Sequence, residues 1–509
     1  VVMIISHKHK FIFFKTRKTA GSSIQASLSK ICGKDDIITG TNYVGDILDE
    51  SHSAGLNMNQ FWTNHPHPTL QQTRQFLGEK IWNSYFKFAF VRNPWDIAVS
   101  RYFWEKRGKR QTVEVTSIDD FRRWVITDLK NFDIQYNYIG SENQIALDFI
   151  GRYETLIDDY EAICDKIGIP FEPLPTLKSG FRDKRRYSKF YDDASRERVR
   201  RFFVQDINLL DYEFNQKFLA KRVGPVILPD QLRDGGNING PSLIKVPDWV
   251  RDPLGRYYLY FAHHQGKYIR LAYSDNIEGP FRVYEPGTLK LGDTPCYDHI
   301  ASPDVHIDED TKRIIMYYHG DTKSGQKTFM SYSDNAIDFK SCTKECAPFY
   351  LRVFKYNANL YGIAKNKNID SMILTAKSWE DNFEPIFNFL EQSRHTSVLV
   401  DGNILYLFYT SIGDAPEQIK MLTVRLSDNI DEWKITHIEP VLKPRRKYEG
   451  ANAKLQPSLP GSSTLGYNNT PVQEIRDPFI YREENIYYLF YSLAGELGIG
   501  LAKLYKIGE

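Results

Sequence analysis

No stretch of the chain approaches the ~20 consecutive apolar residues that a membrane-crossing helix needs, so no helical span is expected. An excess of one charge is missing too. Lys and Arg number 66 against 64 Asp and Glu, a net +2, so no bulk field draws the chain to nucleic acid and any anion site must be local. Cysteine is sparse. Cys32, Cys164, Cys296, Cys342 and Cys346 are odd in number and scattered, which suits a reducing compartment better than a disulfide framework. Cys342 and Cys346 lie close together, but no second Cys/His pair follows at zinc spacing, and no metal site is expected. Val1–Ser6 is too short for a signal peptide and has no cleavage pattern, so the expected location is cytoplasmic.

What is present is enough apolar sequence for a large core: 41% against 26% charged excludes global disorder. At 509 residues more than one domain is expected, and the pattern changes near residue 222. Before it, Ser117–Leu129, Leu156–Ile167 and Ser195–Leu210 carry apolar residues at three- and four-residue spacing and read as helices. Lys10–Phe14 and Tyr85–Val91 read as buried strands, so residues 1–222 are expected to form an α/β domain. After Val223 the helical pattern gives way to turn dipeptides, and Gly224–Gly240 reads as a linker and domain entry.

Residues 223–509 repeat themselves. An aromatic-rich strand, a polar turn and a second strand recur at 256–276, 313–335, 358–381, 403–429 and 485–505. Five irregular copies, each expected to give about four short strands, predict an all-β five-bladed propeller rather than a β-sandwich.

Two stretches of the first half carry chemistry. In "FFKTRKTAGSS" (13–23) an apolar strand runs into small and hydroxylated residues and then a helix. That order presents backbone N–H groups and a positive helix end to an anion, with Lys18 adding charge. Lys18 precedes Gly21, so this is not a Walker A loop. In "YFKFAFVRNPWDIAVSRYFW" (85–104), Arg92 ends a strand and Ser100 lies about two turns into the next helix, where both can converge on one phosphate. Two anion sites in one α/β domain suit a nucleotide with phosphates at both ends.

These residues resemble the PAPS (3′-phosphoadenosine 5′-phosphosulfate)-dependent sulfotransferases, in particular the carbohydrate branch. The resemblance extends through 146–169 and 186–214 and covers roughly residues 8–215. It implies a P-loop-like α/β fold and PAPS as donor. Lys18, Thr19, Ala20, Gly21, Ser22 and Ser23 would form the 5′-phosphosulfate loop, and Arg92 and Ser100 would hold the 3′-phosphate. "KSGFRDKRRY" (178–187) is a weaker match to the segment that closes over the nucleotide. Sulfuryl transfer needs a base for the acceptor hydroxyl and positive charge at the leaving oxygen, which Lys18 can supply. This family branch places a His seven residues before an Arg, a spacing met by His67 and Arg74. His67 is the expected base, with His65 or a carboxylate as alternatives.

The second half resembles the arabinanase- and xylosidase-like glycosidase propellers in "SPDVHID", "IRDPF" and "YYLFYS". Glycosidases need two carboxyls. The relatives' acid at the start of the first blade is missing here, where "INGPSLIK" (238–245) offers Asn239. Asp304, Glu449, Glu474 and Asp477 are the candidate carboxyls, with Asp304 and Glu449 the expected pair for any hydrolysis. His263, His264, His299, His319, His395 and Arg476 are candidate contacts to an anionic sugar. The expected activity is PAPS-dependent sulfation of a carbohydrate hydroxyl, the partner an oligo- or polysaccharide. The propeller is expected to bind or hydrolyse a related glycan. The alternatives are a propeller that only targets, and a first half that binds nucleotide without transfer.

Overall fold

A computed structural model describes residues 3–38, 69–106, 117–130, 133–141, 144–177, 182, 185–233, 235–367, 369–455 and 469–507. His65 and His67 lie outside the described residues, as does most of 178–184. The chain divides into two compact units between Gln216 and Lys217.

In the first unit a five-stranded sheet runs in the order Ile37–Ile38, Met3–Ser6, Phe11–Phe14, Phe86–Val91, Phe149–Arg152. The first three pair antiparallel; the last three are parallel, with Phe11 opposite Phe86 and Phe88 opposite Phe149. Phe11–Phe14 is buried at all four positions. A parallel strand covered on both faces needs that uninterrupted apolar run, not alternation. Phe13 and Phe88 stack at 5.3 Å across the pair. The α/β expectation holds, and Leu156–Ile167 is a helix over the span read from its periodicity, ended by Gly168 at φ 71°. Ser195–Leu210, expected as one helix, is two: Asp193–Phe202 and Val204–Leu210, separated by the buried Phe203 at φ −102°, ψ 23°.

The second unit is a propeller of five four-stranded antiparallel sheets. Each repeat read from the sequence contributes the two middle strands of a blade, as Tyr257–Ala262 with Arg270–Ser274 do in blade one. The inner strands are Asn239–Lys245, Ile300–Asp308, Arg352–Tyr356, Ser393–Asp401 and Arg476–Glu483. The fifth blade takes its outer strand from the start of the unit: Phe218–Ile227 pairs with Ile499–Lys506. So the stretch read as a linker begins inside a blade. Closing the ring with both chain ends removes the free edges that an open sheet would leave.

One bond recurs between inner strands. Ser242 Oγ accepts from Val305 N–H (3.0 Å), Asp304 Oδ2 from Val353 N–H (2.8 Å), and Ser397 Oγ from Ile480 N–H (3.0 Å). Each staples one blade to the next. The ring closes where Ile238 N–H donates to Glu496 O at 2.7 Å.

Candidate functional site

The carboxyl ends of the parallel strands in the first unit carry the loop Lys15–Ala20, the Arg92–Asn93 turn and the Arg152–Glu154 segment. Open α/β sheets bind ligands at this end. The loop enters helix Gly21–Ser29 through Lys18 and Ala20, both at positive φ (62° and 58°). Ala20 supplies no side-chain cap, and the first helical turn has no acidic residue. That leaves the positive helix end uncompensated by the protein's own anions, as an anion-binding helix start requires. A Cβ on Gly21 would stand 2.5 Å from Lys15 Cγ. Glycine is therefore what lets the Lys15 stem cross the helix start, where its ammonium donates to Gln25 Oε1 at 2.9 Å and Ser22 Oγ at 3.3 Å.

Arg92 joins the second motif to the first. Its Nη1 donates to Lys18 O at 2.9 Å, its Nε to Asp96 Oδ2 at 2.7 Å, and its guanidinium lies 3.7 Å from the Tyr153 ring centre. Arg182 takes the other oxygen of Asp96 at 2.6 Å. Burial alone would raise the Asp96 pKa, but the two arginines hold it below the usual range. The structure thus places Arg92 as a buried brace under the Lys18 loop, with its fork already engaged. Lys18 Nζ sits 4.0 Å over the Trp104 ring. Trp104 is four residues after Ser100 on helix Pro94–Lys106, so the two share a helix face. Sequence reasoning passed over Lys15, Trp104 and Tyr153; nothing in their local pattern marked them. Arg74, whose spacing pointed to His67, pairs with Glu79 at 2.7 Å on the exposed side of its helix.

At the propeller's inner strands the charged residues form one buried network. Arg476 Nε lies 2.7 Å from Glu474, 3.5 Å from Glu417, and its Nη1 3.8 Å from Glu496. Arg394 also pairs with Glu417. Glu496 accepts from Asn237 at 2.6 Å and faces His264 Nδ1 at 3.3 Å. Asp477 accepts from Tyr350 OH (2.8 Å) and Ser492 Oγ (3.0 Å), with His395 Nε2 3.4 Å away. Burial, then the charge of Glu496, raises the Asp477 pKa. Burial, then Arg394 and Arg476, drives His395 well below its usual value, so it is a neutral imidazole.

Asp304 and Glu449, the pair expected for any hydrolysis, are each engaged by structural partners. Asp304 is the blade-two staple, bonded to Val353 N–H and to His306 at 2.7 Å. Burial would raise its pKa, but His306 beside it holds it down. Glu449 is fully buried and bonded by Arg222 (2.7 Å), Tyr491 (2.9 Å) and the N–H groups of Arg445 and Arg446. Arg476, expected to grip an anionic ligand, is surrounded by the protein's own glutamates. His263 Nδ1 accepts from Gln265 N–H in a turn. Glu417, Glu496, Arg394 and Tyr350 were missed as site residues, although Arg394 adjoins the candidate His395.

Gly240, Ser302 and Asp477 all have positive φ (59°, 51°, 44°), all precede proline, and all sit where the ladder shifts register. Gly240 thus occupies in blade one the place Asp477 holds in blade five. A Cβ there would meet Ser302 Cα at 3.2 Å.

The first unit is thus an α/β domain with an uncapped loop-to-helix turn at its strand ends, and the second a five-bladed propeller with a buried ionic network. Residues 2–213 match the sulfotransferase family, and the chain belongs to that family through this domain. It is 30% identical over 311 residues to the uncharacterized protein R118 of Acanthamoeba polyphaga mimivirus, covering 54% of this chain and 85% of that protein. An uncharacterized protein of Archaeoglobus fulgidus is 37% identical over 103 residues, 19% of this chain and 81% of its own. Among solved structures, a GH43_1 enzyme from Xanthomonas citri is similar at 12% identity, covering 56% of this chain and 91% of that one, with TM-score 0.40. A glycosyl hydrolase from Bacteroides ovatus is similar at 13% identity, 58% and 94% coverage and TM-score 0.40.

Proposed function

We propose that the first unit transfers a sulfuryl group from PAPS to a carbohydrate hydroxyl, and that the propeller holds a related anionic glycan without hydrolysing it. One observation carries the transfer reading. The uncapped start of helix Gly21–Ser29, overlaid by Lys15, is tied through Lys18 O to Arg92. A phosphosulfate fits that cradle: it meets N–H groups, hydroxyls and two ammonium groups, and Gly21 keeps the approach open. Lys18 has only to leave the Trp104 face to neutralise charge on the leaving oxygen. His67 is the proposed base.

For the propeller, Gly240 where blade five has Asp477, and the commitment of Asp304 and Glu449, favour binding over hydrolysis. Arg394 Nη2 is buried with no hydrogen-bond partner among the described residues and suits a sulfate or carboxylate. Five thiols unpaired in the structure agree with a cytoplasmic setting.

The test is thermal stabilisation of the full chain by PAP, the desulfated donor, against ATP, together with transfer of labelled sulfate over a polysaccharide panel. Ligand bound only by the native state raises its apparent stability. PAP should stabilise and ATP far less, and Lys18→Ala should abolish transfer. Equal stabilisation by both nucleotides refutes the donor assignment; transfer unchanged in Lys18→Ala refutes its role.

A further inference from the structure

Blade two carries a second cluster that neither the sulfotransferase site nor the Arg476 network uses. His319 and Asp321 stand two residues apart on strand Arg313–Thr322, so their side chains share one face. Ile300 pairs with Gly320, which sets His299 directly across from Asp321. His299 Nδ1 lies 3.2 Å from Asp321 Oδ2 and 3.8 Å from Asp298 Oδ2. One ligand atom from each of these three residues lies within 4.8 Å of the others. The His319 ring is edge-on to His299 at 6.2 Å between centres.

Two features show that this is a built arrangement and not a chance meeting of surface acids. His319 is 7% exposed, and its Nδ1 has no hydrogen-bond partner among the described residues. A buried polar nitrogen left unpaired is costly unless something absent from the chain completes it. Gly320, between His319 and Asp321, lets the 296–299 segment press on the strand: a Cβ there would stand 2.4 Å from His299 O and 2.6 Å from Cys296 Sγ. Glycine at 320 is what holds Asp298 and His299 against His319 and Asp321.

We propose that His299, Asp321 and Asp298 bind a divalent transition-metal cation of the zinc type, with the buried His319 ring beside them. An imidazole and two carboxylates make a mixed nitrogen–oxygen donor set with a position left open, which suits Zn²⁺ better than cations that take oxygen ligands alone. Two donors bound tetrahedrally at zinc distances stand about 3.4 Å apart, and the observed 3.2 and 3.8 Å bracket that value. Asp298 is the adjustable ligand. Its side chain is 60% exposed and is held meanwhile by Lys267 at 3.6 Å, a contact the cation would replace. No zinc spacing marks the sequence, because Asp321 comes from strand Arg313–Thr322 while Asp298 and His299 come from the segment that enters strand Ile300–Asp308.

The experiment is titration of the chelator-treated full chain with Co²⁺, read by visible absorption and by bound stoichiometry, with Zn²⁺ competition. Expected is a four-coordinate Co²⁺ spectrum displaced by one equivalent of Zn²⁺. Asp321→Asn, which keeps shape and removes the charge, should weaken binding at least about tenfold, and His299→Gln should do the same. His263→Ala serves as a control outside the cluster and should change nothing. Absence of the spectrum in the wild-type chain overturns the proposal. A spectrum and affinity unaltered by Asp321→Asn also overturn it, by placing the metal elsewhere.

Discussion

Removing Arg222 should open the propeller at its closing blade. Arg222 stands on the strand Phe218–Ile227, and its Nε holds Glu449 at 2.7 Å while the Glu449 side chain is wholly buried. Arg222→Ala leaves a buried carboxylate with neutral donors only, a loss of about 3–5 kcal/mol. For a unit of this size each kcal/mol lowers the melting temperature by about 2–4 °C, so a fall of roughly 6–20 °C is expected. Truncation extends the argument. A chain starting at Gly224 also loses the burial of Phe218 and Leu219, about 1.5–3 kcal/mol each. The combined loss, about 6–11 kcal/mol, rivals the whole stability of a domain. Fragment 217–509 should therefore melt cooperatively by near-UV circular dichroism, and fragment 224–509 should be open and quickly proteolysed. Lys312→Ala, which removes an exposed pair with Glu309, is the control and should leave the transition in place. Should 224–509 melt together with 217–509, or Arg222→Ala behave like the control, the closing-strand argument fails.

Two further outcomes follow from buried charges. Asp304→Ser should be mild because Ser242 and Ser397 make the same staple in other blades, whereas Asp304→Ala leaves Val353 N–H unpaired at a cost of about 1–3 kcal/mol, read by urea unfolding; equal losses in the two variants would show that the staple is not the reason. Lys365 is buried, and burial, then Arg394, lowers its pKa from 10.5 to about 8. A depressed folded pKa contributes stability above pH 10.5 that is lost as pH falls towards 8, so the wild-type chain should lose ground to Lys365→Met over that window and run parallel to it below; parallel curves throughout would refute the shift.

The strand–loop–helix turn at 13–29 and the blade repeat were legible because each is local. A strand, small residues and a helix must follow one another in sequence to present N–H groups, and paired middle strands are joined by short turns. The apolar run within Lys10–Phe14 announced a buried strand for the same reason. Partnership across the fold was not legible. Asp304 and Glu449 read as carboxyls free for chemistry, and only the neighbouring Val353 N–H and the returning strand with Arg222 show them to be structural. Gly224–Ile227, at the start of the stretch read as linker, belongs to the strand Phe218–Ile227, whose partner, Ile499–Lys506, lies at the far end of the unit. Glu417 and Glu496 carried no motif at all, yet they enclose Arg476. Sequence determined what each segment could form, since helix and strand periods act over a few residues. The ring closure decided which charges meet, because burial makes a charge depend on whatever partner the distant chain supplies.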